Sequence, residues 1–195
     1  MTEFKRNFEV IYSDFDPASI AKFLENSFNL YERLRDTYLL NNLIHIGVVA
    51  KSTPYRENKT LLMVNFLEVL RYNYAVNVSV PRGLFKQKGT DFIWQIGPNS
   101  GNKASFKEIL EQFCQDNNIT GWNDDFRYLR NEIVHTGKVK GVDASKRYYD
   151  LHHFCDCLIL ALLEWDKAGG SYIPVNNPSF NGPNKWGMNI VKFIR

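Results

Sequence analysis

The sequence has little cysteine. Its three residues, Cys114, Cys155 and Cys157 in a chain of 195, include no second pair that would complete a disulfide framework or a four-ligand zinc site. Cys155 and Cys157 lie one residue apart in the most hydrophobic run of the chain, a spacing that suits a helical core better than a loop-borne metal knuckle. A membrane-length apolar run is also missing. CDCLILALLEW, residues 155–165, is too short for a bilayer and follows Asp150, His152 and His153, which fits a buried helix. The opening MTEFKRNFEV lacks the basic-then-apolar layout of a secretion signal. Nor does one sign of charge dominate: 24 Lys and Arg against 21 Asp and Glu give +3, too mild to indicate nucleic acid by itself. Together these absences predict a cytoplasmic protein with reduced thiols, no membrane contact, and no metal or other cofactor.

What is present is an ordinary globular composition, 44% hydrophobic and 23% charged, long enough for one domain with a substantial core. The expected domain covers 1–195, with its core at about 17–170 and an irregular tail at 171–195. Asp16-Pro17 is a cap followed by a proline suited to the first helical position. Ile20, Phe23, Leu24, Phe28, Tyr31, Leu34 and Tyr38 then recur at helical spacing, predicting a long helix to about Leu40. NNLIHIGVVA, residues 41–50, is either its continuation or a separate buried element, and His45 within it is expected buried or half-buried. TLLMVNFLEVLRYNY, with Leu62, Phe66, Val69 and Leu70 facing a core, predicts a second helix.

From Asn77 to Lys103 the chain is punctuated by Gly, Pro and Asn, which predicts a long loop. Its PRGLFKQKGT and GPNSGNK match neither a P-loop nor a dinucleotide fingerprint. Phe85, Lys86, Lys88 and Trp94 within 81–103 would suit single-stranded RNA through charge and stacking, although exposed lysines beside a buried Trp would give the same letters. SFKE at 105–108 is a capping box opening a third helix. NDDFRYLRNEIVHTG predicts a fourth, capped by Asn123 or Asp124, packed through Phe126, Leu129 and Ile133, and ended by Gly137. A last helix from about Ala144 to Lys167 carries Tyr148, Leu151, Phe154, Cys155, Leu158, Leu162 and Trp165. The predicted fold class is therefore all-α: a bundle of about five helices with one long irregular insertion and an irregular C-terminal tail.

The fourth helix also carries the candidate chemistry. Arg127, Asn131 and His135 follow one another at intervals of four, so they share a face. Arg130 lies about 140° around an ideal helix from His135, and a long arginine can still reach around. An imidazole can take a proton from an RNA 2′-hydroxyl or give one to the leaving 5′-oxygen. A guanidinium offers a fixed fork of donors to the phosphate, and an asparagine can position either group. The competing reading is structural: an Arg and a His near a helix C-terminus also complement its dipole. His152 and His153 point about 100° apart and form no chelating pair; either packs into the bundle, or one of them lines the same cleft.

RNEIVH, Arg130 to His135, resembles the R-x(4–6)-H signature of the HEPN superfamily, including the frequent polar residue after the arginine. The order of elements is similar too, because the motif helix is followed by the long apolar segment RYYDLHHFCDCLILALLEWDKAGG. LLMVNFLEVLRYNY further resembles a segment of the ApeA-like branch, with Phe66, Leu67, Glu68 and Tyr72 in matching places. The resemblance covers roughly residues 20 to 170, and RNEIVH is its specific part.

It implies a metal-independent endoribonuclease of the toxin or phage-defence kind, built from two motif helices facing each other across a homodimer. His135 would be the acid/base, Arg130 the phosphate ligand and Asn131 the residue that orients them. Glu68, holding Arg130 or His135, is the supporting residue it adds, with Arg127 and His152 as further candidates. An antitoxin or fused sensor would restrain the activity. The alternative is a non-catalytic HEPN module for dimerisation or for binding nucleotides or proteins.

Overall fold

The computed structural model describes residues 17–119, 122–141 and 144–164, and these form a helical bundle with one small sheet. Six α-helices occur among the described residues: α1 Pro17–Tyr38, α2 Leu40–Ser52, α3 Arg56–Tyr74, α4 Phe106–Asp116, α5 Asp125–Thr136 and α6 Ala144–Leu162. The all-α expectation holds. The count exceeds five because Leu39 adopts φ 53 and ψ 48, a left-handed conformation that breaks the helical path between α1 and α2. Residues 41–50 are thus a separate helix rather than a continuation of the first.

α3 is the central element, packed against α1, α2, α4, α5 and α6. Its Met63, Val64, Phe66, Leu67, Leu70 and Tyr74 are all buried and fall on one broad apolar face of the helix, while Leu61 and Tyr72 are exposed. The inward positions expected of α5 (Phe126, Leu129, Ile133) and of α6 (Tyr148, Leu151, Phe154, Cys155, Leu158, Leu162) are buried as well. Trp165, the end expected for the last helix and the tail at 171–195 lie outside the described residues. All three cysteines are free and buried. No described helix is long and apolar enough to cross a membrane.

Two expectations are corrected, and part of the apolar spacing of α1 faces outward. Leu24 and Phe28 are exposed by 58% and 63%, because α1 meets the rest of the bundle through the face carrying Ser27, Leu34 and Tyr38. His45 is exposed rather than buried. The stretch from Asn77 is not an irregular loop throughout: a π-helical turn, Ala75–Ser79, prolongs α3, and β1 Phe85–Lys88 pairs antiparallel with β2 Asp91–Trp94. Gly89, at φ 61 in the two-residue turn between those strands, supplies the positive φ that a tight hairpin needs. Phe85 is buried and packs on Trp94 at 4.5 Å between ring centroids, so it is not available to stack on a base. Gln87, in register with Phe85 on the same face, reaches the Tyr72 hydroxyl at 3.4 Å. Alternation along the strand places the exposed Lys86 and Lys88 on the opposite face, away from α3.

Candidate functional site

α5 is held at both ends. At its start the Asn123 Oδ1 accepts the Asp125 amide at 2.9 Å, while Asp124 turns outward to the Lys107 ammonium at 2.8 Å. Of the two candidate caps, Asn123 therefore makes the bond. At its end Gly137 has φ 66 and its amide reaches the Ile133 carbonyl at 3.0 Å, the left-handed stop that glycine makes inexpensive. On one flank, the Arg147 guanidinium of α6 donates to both Asp125 oxygens at 2.7 and 2.9 Å, to Glu132 at 2.9 Å and to the Lys140 carbonyl at 3.0 Å. Burial pushes the Glu132 carboxyl up, but Arg147 and the Lys140 amide outweigh it and hold the group below its ordinary range. The hydrogen bonds that Arg147 donates to Asp125, joined by the one to Glu132, raise the guanidinium in turn. Arg147 thus ties the first turn of α5 to the loop after its last.

The other flank carries the motif. Arg130 donates from Nε to Glu68 Oε1 of α3 at 2.8 Å, with Nη2 also 2.8 Å from that oxygen, and from Nη1 to Asn131 Oδ1 at 3.0 Å. Glu68 is shared, because its Oε2 accepts from the Arg71 Nε at 3.0 Å. Both guanidinium carbons lie over the Phe106 ring at the start of α4, Arg130 at 5.5 Å and Arg71 at 6.0 Å, within cation–π range. Charge pairing from one side and an aromatic face from the other restrict the Arg130 rotamers. Glu68, sixty-two residues away in sequence, is thereby brought to Arg130, and Asn131 joins them. The Phe106 ring and Arg71 complete the cluster, and sequence reasoning missed both. In the sequence Phe106 stands only as a letter of the SFKE capping box, and Arg71 as one more charge in LRYNY.

His135 is exposed in the last turn of α5 and, like Asn131, faces solvent. Its neighbour Thr136 fastens that turn, donating from its hydroxyl to the Glu132 carbonyl at 2.8 Å. The imidazole is therefore accessible to a large substrate on a helix end that is fixed. Arg127 turns toward Tyr128, its guanidinium carbon 4.7 Å from the ring centroid and Nη2 2.9 Å from the hydroxyl, rather than along the row to Asn131.

His152 lies elsewhere in the bundle. Its Nδ1 is 3.5 Å from Asp156, which also pairs with Lys51 of α2 at 3.2 Å, and its ring packs on Tyr148. Burial drives this imidazole below its ordinary value. Asp156 opposes the shift, and Lys51, Lys59 and His153 add to it. These partners place His152 in the seam of α2, α3 and α6. Among the described residues no group of three or more His, Cys, Asp or Glu side chains is placed to hold a metal ion.

The arrangement can do two things chemically: present a fixed guanidinium to an anion, and offer an imidazole to a proton on the same helix. No protein-family model, curated protein or solved structure matches the chain, so the reading rests on these side chains.

Proposed function

We propose that the protein is a metal-independent endoribonuclease in which Arg130 binds the scissile phosphate, Asn131 fixes that arginine and His135 moves the proton. The observation that carries this reading is the bonding of Arg130 to Asn131 and to Glu68, with His135 open to solvent one turn beyond Asn131 on the same helix. A helix-end pair that served only the dipole would not need a carboxylate from another helix to orient its arginine.

In the reaction the 2′-oxygen attacks the adjacent phosphorus and the P–O5′ bond breaks. The products are a 2′,3′-cyclic phosphate and a free 5′-hydroxyl. One proton leaves the 2′-oxygen and one arrives at O5′, the two transfers an imidazole performs near neutral pH. A single α5 contributes one histidine, so a homodimer with two facing α5 helices would supply both transfers. Arg130 neutralises the charge that grows on the non-bridging oxygens.

As a toxin or phage-defence effector, such an enzyme would be paired with an antitoxin or a sensor. The test is incubation of the purified protein with mixed-sequence RNA in excess EDTA, followed by analysis of the product ends. Cyclic-phosphate ends support the reading. Intact RNA at every protein concentration, with and without the chelator, rejects it in favour of a non-catalytic binding module.

A further inference from the structure

We infer that Arg71 is the second arm of a phosphodiester-binding pair, with Arg71 and Arg130 gripping one backbone phosphate of single-stranded RNA across the carboxylate of Glu68. This rests on the ribonuclease reading and adds a residue that the RNEIVH motif does not contain. A guanidinium has five N–H groups. Arg130 commits Nε to Glu68 and one hydrogen of Nη1 to Asn131, with Nη2 beside the same Glu68 oxygen at 2.8 Å, which leaves further N–H groups open. Arg71 commits only Nε, to Glu68, and its terminal nitrogens have no partner among the described residues. Neither arginine is sealed in, with side-chain exposures of 18% for Arg71 and 33% for Arg130.

Two guanidiniums beside one carboxylate carry a single net positive charge, which matches the single negative charge of a phosphodiester. Glu68 keeps the like-charged arginines together over the Phe106 ring. Their spacing is thus set before a phosphate arrives, and little side-chain entropy is left to lose on binding. The two arms come from different helices: Arg130 belongs to the helix of His135, while Arg71 belongs to the central helix α3. A phosphate held by both is fixed relative to the bundle as well as to the acid/base.

The probe is a short, fluorescently labelled 2′-O-methyl RNA, which has no 2′-hydroxyl and cannot be cut, titrated with intact protein over about 50 to 200 mM salt. Arg71→Met is expected to lose about tenfold in affinity and to flatten the slope of log affinity against log salt by about 0.7, the release expected for one phosphate contact on a single strand. Arg71→Lys keeps the charge but not the planar fork, so it should retain the wild-type salt slope with an intermediate affinity. Thermal unfolding of each variant separates misfolding from lost contact, and Arg71→Lys carries the test should Arg71→Met fail to fold. Wild-type affinity and slope in Arg71→Met would overturn the pair. So would absence of probe binding by the wild type, yet cleavage of ordinary RNA that disappears in His135→Ala would leave the ribonuclease reading standing.

Discussion

Replacing Glu68 by alanine tests the anchor on which the site depends. The carboxylate accepts the Nε–H of both arginines at 2.8 and 3.0 Å, lies 2.8 Å from Nη2 of Arg130 and is itself 26% exposed. A hydrogen bond to a charged group contributes roughly 1.5–3 kcal/mol when well desolvated. Partial exposure of both partners screens the Arg130 pair, and a discount of about half leaves ~0.8–1.5 kcal/mol. Removing Glu68 also leaves two positive guanidiniums over one ring, which adds to the loss. For a chain of this size the melting temperature should fall by about 3–6 °C.

Arg130→Ala and the double variant complete a thermodynamic cycle, whose coupling term should be about 1 kcal/mol for residues in direct contact. RNA cleavage by Glu68→Ala should fall by about tenfold although His135 is untouched, because the phosphate ligand is no longer oriented. Additivity of the two single variants within about 0.3 kcal/mol would refute the anchoring, whatever happens to activity.

Two further outcomes follow from the same geometry. Arg147→Ala removes a 17%-exposed guanidinium that holds Asp125, Glu132 and the Lys140 carbonyl. It should cost about 2 kcal/mol, read as a lower urea midpoint, with the change concentrated at the two ends of α5 in hydrogen exchange. The imidazole of His152 is depressed chiefly by burial from its ordinary 6.5, so the unfolded chain takes up that proton more readily. Its contribution to stability is fully present above about pH 6.5 and is lost as pH falls from there toward the lower folded value. His153 is depressed by burial too, so His152→Gln should make the fall in melting temperature between about pH 6.5 and 5 shallower without abolishing it. An unchanged profile would rule His152 out as a contributor.

Much of the bundle was legible in local sequence because its signals are local. The capping box is present as written, the Ser105 hydroxyl taking the Glu108 amide and the Glu108 carboxylate taking the Ser105 amide. Gly137 stops α5 in the left-handed conformation that the sequence implied. The break at Leu39 was not legible, since a left-handed leucine has no compositional signature and is imposed by packing of the helices on either side. The hairpin was half legible: Gly89 marks its turn, but strands of four residues are too short for alternation to stand out from a loop.

At the site, the Arg127–Asn131–His135 row follows from helical spacing alone, whereas the Glu68–Arg130 bond joins residues 62 apart and needs α3 and α5 to pack. Resemblance pointed to Glu68. Neither resemblance nor spacing pointed to Arg71, Phe106 or Arg147, whose roles arise only where helices meet. The exposure of Leu24 and Phe28 was not legible, because periodicity defines an apolar face without saying what covers it.

The most direct test of the central claim is a side-by-side comparison of wild type, Arg130→Ala and His135→Ala, measuring RNA cleavage in EDTA and thermal unfolding on the same preparations. Both variants should lose cleavage by at least about a hundredfold. Only Arg130→Ala should lower the melting temperature, because Arg130 is bonded to Glu68 and Asn131 while His135 is exposed at the helix end. Wild-type cleavage by a folded His135→Ala protein would contradict the account, since the proton transfers would then belong to some other group.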